Sequence, residues 1–148
     1  AAGGNVTPLL NSESSKQLAE IGWSEINIVD TYYAERLFSK LDNIPYVLNW
    51  HGDRIILPDT ATLIATTDRC KEQMFQIGDR AFGLQFHIEV ETDDVERWIV
   101  EDNEFIWNSL GSNGKQLLQE QNKLHCEESR EVRLQLIRYL FEYIIDSE

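Results

Sequence analysis

The sequence predicts a mixed α/β domain, with strands through the first ninety residues and helices after them. Three observations carry this reading. Short β-rich runs bounded by Gly, Pro, Asn and Asp recur before residue 90. Beyond Thr92 apolar residues return every three or four positions, the helical period. Between the two regimes, Gly83-Leu84-Gln85-Phe86-His87-Ile88-Glu89-Val90 reads as a buried strand running into a polar tip, because Phe82, Leu84 and Phe86 alternate with Gly83 and Gln85. Residues two apart on an extended chain project to the same side. His87 and Glu89 therefore become neighbours at a strand end, where open α/β sheets place their chemistry. A carboxylate can fix an imidazole's tautomer and stabilise its cation, which makes it a general base for a nearby thiol or hydroxyl. A His-x-Glu at a strand end is also a common surface pair, so this motif needs a second one.

Composition narrows the field. The 148 residues make one domain or part of one. A formal charge of −13 repels phosphate backbones and argues against a nucleic-acid partner. No apolar run is long enough to cross a bilayer. Ala1-Ala2-Gly3-Gly4 lacks the basic and apolar regions of a secretory leader. With two cysteines, Cys70 and Cys126, the chain fits a cytosolic setting with reduced thiols.

In chain order, Ala1 to Asn5 reads as the last turn of a helix stopped by glycine, or else as a flexible tail. Val6 to Lys16 is polar and turn-rich. Ile21 to Val29 reads as one strand with a bulge at Gly22. Thr31 to Leu41 is a short helix. Tyr46 to Trp50 and Arg54 to Pro58 are strands about a tight turn at His51-Gly52-Asp53. Leu63 to Thr67, Gln73 to Ile77 and Arg80 to Phe86 complete the strands. Thr92 can cap a helix whose first turn carries Asp93 and Asp94, the favourable end for negative charge. Its Val95, Trp98, Ile99, Asp102 and Ile106 share one face. Gly111 to Gly114 breaks it. Helices over Lys115 to Leu124 and about Glu127 to Ile145 follow. The last carries a stripe of Leu136, Ile137, Leu140, Phe141, Ile144 and Ile145 for packing on a sheet or partner helix. Residues 1–148 are thus a single, partial domain, with 92–148 a mainly helical C-terminal extension.

The second motif is Asn49-Trp50-His51-Gly52-Asp53-Arg54 with Leu57-Pro58 after it. Together with Ala65-Thr66-Thr67 and Gly83-Leu84-Gln85-Phe86-His87-Ile88-Glu89, it resembles the class I glutamine amidotransferases, most closely the GMP synthase-like ones. The family's last strand reads Gly-x-Gln-Phe-His-Pro-Glu, and here Ile88 stands for the proline, which carries no chemistry. The resemblance covers most of residues 1 to about 100. It implies a flavodoxin-like layering, incomplete at the N-terminus, with C-terminal helices. It also implies glutamine hydrolysis to glutamate and ammonia through a Cys-His-Glu triad. His87 would take the thiol proton and deliver it to ammonia; Glu89 would orient His87. Main chain at Trp50 and His51 would help hold the glutamine. For His51 and Asp53 a hydrogen-bonded turn is as good a reading as a direct role. No cofactor is required. The implied partners are glutamine and an ammonia-accepting synthase domain or subunit.

The nucleophile is the departure. The family places it in Gly-x-Cys-x-Gly at a strand-to-helix elbow, and these residues contain no such motif. The helix after that elbow typically ends in Ala-x-Gly-Gly-x-Val, close to this chain's opening. The cysteine would then lie roughly ten residues before Ala1. Cys70 sits beside Arg69 and Lys71, whose charges would favour a thiolate, but no glycine elbow surrounds it. Cys126 beside His125 reads as a local cap. Two other readings are a non-catalytic interaction or regulatory module of the same fold, and a metal site from His51, Asp53 and His87 with Arg97 holding a co-substrate carboxylate. A truncated sheet would also expose an edge and favour self-association.

Overall fold

A computed structural model describes residues 3–146 except Ser12, Ser15 and Asp30. Eight strands precede four of five helices. They are β1 (Asn5–Pro8), β2 (Glu20–Ser24), β3 (Asn27–Ile28), α1 (Tyr32–Phe38), β4 (Val47–His51), β5 (Asp53–Ile56), β6 (Ala61–Thr66), β7 (Met74–Ile77) and β8 (Ala81–Leu84). Then come α2 (Thr92–Glu101), α3 (Asn103–Leu110), α4 (Gly114–His125) and α5 (Arg130–Asp146). The expected α/β class is present, and the described residues from Thr92 onward are mainly helical. The strand ladders among the described residues are antiparallel, in three small sheets: β1-β5, β2-β4 and β3-β6-β7-β8.

Two apolar cores follow from this layout. One lies between the four-stranded sheet and helices α1 and α5, around Leu37, Ile64, Met74, Phe86 and Leu136. The other lies between β2-β4 and α2 to α4, around Trp23, Leu48, Val95, Ile106 and Leu118. Phe86 and Ile88 belong to the first and Val90 to the second, so the His87 segment is stitched into both.

Several expected elements differ in detail. Val6 to Lys16 is not all turn: Asn5–Pro8 pairs with Asp53–Ile56. Ala1 and Ala2 lie outside the described residues, and Gly3 has φ 95°, the left-handed conformation glycine favours. The single strand over Ile21 to Val29 is two, because the chain leaves β4 after Ser24 and joins β6 at Asn27. At Gly22, φ is 111° and the side chain of Gln121 lies where a Cβ would be. His51-Gly52-Asp53 does not close a hairpin, since β4 pairs with β2 and β5 with β1. Thr31, as expected, opens α1: its hydroxyl accepts from the Ala34 amide at 3.2 Å. The cap of α2 is Glu91 rather than Thr92, with the Glu91 amide donating to Asp94 at 3.1 Å. The α5 stripe is rotated from the expected one. Arg133, Leu136, Leu140 and Tyr143 are buried, whereas Phe141 and Ile145 are exposed. Positions 133, 136, 140 and 143 follow the three-and-four spacing of one helix face.

Candidate active site

The segment from Gln85 to Val90 is held by a change of partner. The Gln85 amide still donates to Gln73 of the β7 side at 2.8 Å. Two residues on, His87 pairs with Leu48 of β4 through reciprocal main-chain bonds of 2.8 and 3.2 Å. β8 therefore ends at Leu84, and the tip is a bent bridge rather than the regular strand its alternation suggests. Gly83 permits the approach. It lies opposite Phe75, whose ring occupies the place a Cβ would take. Phe86 and Ile88 are buried on either side of His87, which turns His87 and Glu89 outward.

His87 and Glu89 are brought together. His87 Nδ1 donates to Glu89 Oε1 at 2.7 Å, and Glu89 Oε2 accepts from the Ile88 amide at 2.9 Å. A carboxylate acceptor fixes the proton on Nδ1 and leaves Nε2 with a lone pair, the form a general base needs. Partial burial pushes the Glu89 carboxyl up. The bond from His87 and those from main-chain amides outweigh it and leave the carboxyl below its ordinary range. The imidazole packs against Trp98 of α2, ring centroids 5.0 Å apart at 72°.

Beneath the pair lies a buried arginine. Arg133 of α5 donates to the carbonyls of Ile88 and Val90, both at 2.8 Å, and to Cys126 O at 2.9 Å. Its Nε reaches Ser129 Oγ at 3.0 Å. The two carbonyls flank Glu89, so α5 fixes the backbone that presents the carboxylate. Burial pulls this guanidinium down from its ordinary value; its planar fork of donors suits several acceptors at once.

Trp50 and His51 stand at the end of β4. Trp50 Nε1 donates to Asp102 Oδ2 at 2.8 Å. Trp50, His51, Asp53, Gln85, Asp102 and Phe105 are among the walls of a cleft of about 620 Å³. The His51 ring is committed elsewhere: Nδ1 donates to Asp53 O at 2.9 Å, and Nε2 faces the Gln73 amide and Glu20 Oε2, each at 3.5 Å. Glu20 also accepts from Thr67 at 2.9 Å and Gln73 at 2.7 Å.

The alternatives from sequence fare differently. Cys70 is buried, and burial together with Glu20 and Glu72 pushes its thiol up, against the thiolate its basic neighbours suggested. Cys126 is buried with its sulfur 3.7 Å from Arg133, and His125 stacks on Tyr46 instead of forming a dyad. Among the described residues no three His, Cys, Asp or Glu side chains gather to hold a metal. Arg97 pairs with Asp94 at 2.8 Å. No described helix is long and apolar enough to cross a membrane. Sequence reasoning missed Arg133, Glu20 and Gln73, and named Trp98 only as a packing residue. A lone arginine in phase with Leu136 and Leu140 was the available signal for Arg133.

No protein-family model matches the chain. Its fold is that of the class I glutamine amidotransferases. A crystal structure of a glutamine amidotransferase from Thermotoga maritima superposes with a TM-score of 0.72 at 30% identity, over 99% of this chain and 56% of that one. Two curated proteins are similar in sequence. The glutamine amidotransferase-like protein YfeJ of Salmonella typhimurium is 31% identical over 77 residues, 52% of this chain and 32% of that protein. The imidazole glycerol phosphate synthase subunit HisH of Pelagibacter ubique is 31% identical over 87 residues, 58% of this chain and 40% of that protein. The chain thus spans well under half the length of the curated relatives and just over half of the solved one.

Proposed function

We propose that this chain supplies the histidine–glutamate half of a glutamine-hydrolysing site, with the thiol contributed by a segment outside these 148 residues. The observation that carries the reading is the His87–Glu89 bond, with Nε2 left to act on a neighbouring group. In the proposed reaction Nε2 takes the thiol proton as the thiolate attacks the side-chain amide carbon of glutamine. The tetrahedral adduct collapses, the C–N bond breaks, and His87 returns the proton to the departing ammonia. His87 then takes a proton from water as the water oxygen attacks the thioester carbon; the C–S bond breaks, the proton returns to the thiolate, and glutamate leaves. Ionised Glu89 stabilises the imidazolium in each half-reaction. Main chain at Trp50 and His51, beside the cleft, helps hold the substrate. The ammonia passes to a synthase domain or subunit. HisH is itself a synthase subunit, which supports this arrangement.

The test is glutamine turnover by the gene product that carries this segment, measured as ammonia and glutamate released. His87→Ala should lower turnover by about a hundredfold or more while leaving the circular dichroism spectrum unchanged. Retained turnover in a folded His87→Ala protein would sink the assignment.

A further inference from the structure

One turn of α2 connects the imidazole to the cleft. Trp98 and Asp102 are four residues apart and so lie on one face of the helix end; the Asp102 amide donates to the Trp98 carbonyl at 2.9 Å. The two side chains grip Trp50 from different directions. Trp98 meets its indole edge-on, centroids 5.7 Å apart at 63°, and Asp102 accepts its Nε1–H at 2.8 Å. Trp98 meets His87 in a second tilted contact, at 5.0 Å. A tryptophan therefore stands between the imidazole and the β4 tryptophan beside the cleft.

The hydrogen bond to Glu89 does not by itself hold the imidazole. One bond at Nδ1 fixes a point and a direction, but the ring can still swing about that contact, and a swing carries Nε2 away. Glu89's side chain is itself mostly exposed, at 62%, so it offers little steric restraint. A ring packed at 5.0 Å and 72° removes the remaining freedom. We propose that Trp98 is a positioning residue for His87, and that the Trp98–Asp102 turn ties the orientation of the imidazole to Trp50 and thus to what fills the cleft. The role rests on reading His87 as the proton acceptor.

The test is the state of the His87 ring, followed by nitrogen-15 and carbon-13 resonances of the whole chain. The wild-type ring should show separate signals for a protonated Nδ1 and an unprotonated Nε2. Trp98→Ala should move both toward averaged positions, as the ring exchanges orientation and tautomer, and should move the acid titration of the Glu89 carboxyl up. His51, held by Asp53, serves as the internal control and should not move. Trp98→Phe, which restores a ring edge, should return the wild-type signals. Trp98→Leu keeps an apolar side chain without a ring and should behave as Trp98→Ala if that variant folds poorly. Asp102→Ala should give a smaller change of the same kind, and Asp102→Asn, which still accepts from the indole, none. A folded Trp98→Ala or Trp98→Leu protein with unmoved His87 signals would overturn the proposal. The readout needs no turnover, so a failed glutamine assay would remove the catalytic reading of His87 and still leave the positioning of its ring by Trp98 measured. Normal turnover with unmoved signals would remove Trp98's role alone.

Discussion

Of the three histidine–glutamate pairs among the described residues, His125–Glu128 is the loosest at 3.9 Å, and the other two are built to opposite ends. His87 and Glu89 are 2.7 Å apart with side chains 32% and 62% exposed; His51 and Glu20 are 3.5 Å apart with both at 8%. At the open pair one ring nitrogen is committed and the other left with its lone pair. At the buried pair both nitrogens face partners, and the carboxylate takes two further donors from Thr67 and Gln73. Burying polar groups is costly unless each finds a partner, so the inner pair serves the fold. An acid–base group needs an uncommitted nitrogen, and of these two pairs the outer one leaves a ring nitrogen without a partner among the described residues, which is why the proposed chemistry is placed there. Composition alone cannot separate them. The backbone does, through the buried Phe86 and Ile88 that turn His87 and Glu89 outward.

The sharpest break of this contrast lies beneath the open pair. Arg133→Met keeps the length of the side chain but strands the carbonyls of Ile88, Val90 and Cys126. Its expected cost is about 3 kcal/mol or more, read as a fall in the urea unfolding midpoint. Arg133→Lys should recover only part of that, because an ammonium cannot span three acceptors as a guanidinium does. At the inner pair, Glu20→Ala removes the acceptor shared by Thr67 and Gln73 and should cost about 2 kcal/mol. Glu20→Gln, which still accepts, should cost less. At the outer pair, His87→Ala should change stability by only about 0.5 kcal/mol. Equal costs at His51–Glu20 and His87–Glu89 would erase the distinction between a pair that holds the fold and one that is free for the proposed chemistry.

Much of this was legible in the sequence. The α/β class, the helical stretch after residue 92 and the apposition of His87 with Glu89 all follow from period and spacing. What was not legible depends on partners distant in sequence. Nothing local tells that Ser24 to Asn27 crosses from β4 to β6, because both halves have strand composition. β1 was hidden because a four-residue edge strand ending in proline reads as turn. Arg133 sits 45 and 43 residues from the Ile88 and Val90 carbonyls it holds. Helical phase could mark it as buried but not say what it binds. The helical period puts Trp98 on the buried side of its helix, yet its contacts with His87 and Trp50 depend on residues 11 and 48 positions away.

The smallest expected effect is the dependence of stability on pH, and it isolates the outer pair. The Glu89 carboxyl lies below its ordinary range in the folded chain, whereas in the unfolded chain it titrates in the ordinary glutamate range. The unfolded state therefore binds a proton at Glu89 before the folded state does. Its contribution is complete above the ordinary glutamate range and is lost as acid carries the pH down through the depressed folded value. Because the side chain is largely exposed, water screens the effect and keeps it small. Glu89→Gln removes the titration while keeping an acceptor for His87. The difference between wild-type and Glu89→Gln unfolding free energies should thus narrow as acid carries the pH down through and below the ordinary glutamate range. His87→Ala should shrink that dependence in an otherwise wild-type chain, because the bond from His87 is the strongest influence holding the carboxyl down. A difference that is flat across the acid range would mean that the two side chains share a surface without a working bond, and Nε2 would lose the fixed tautomer on which its proposed role as a base depends.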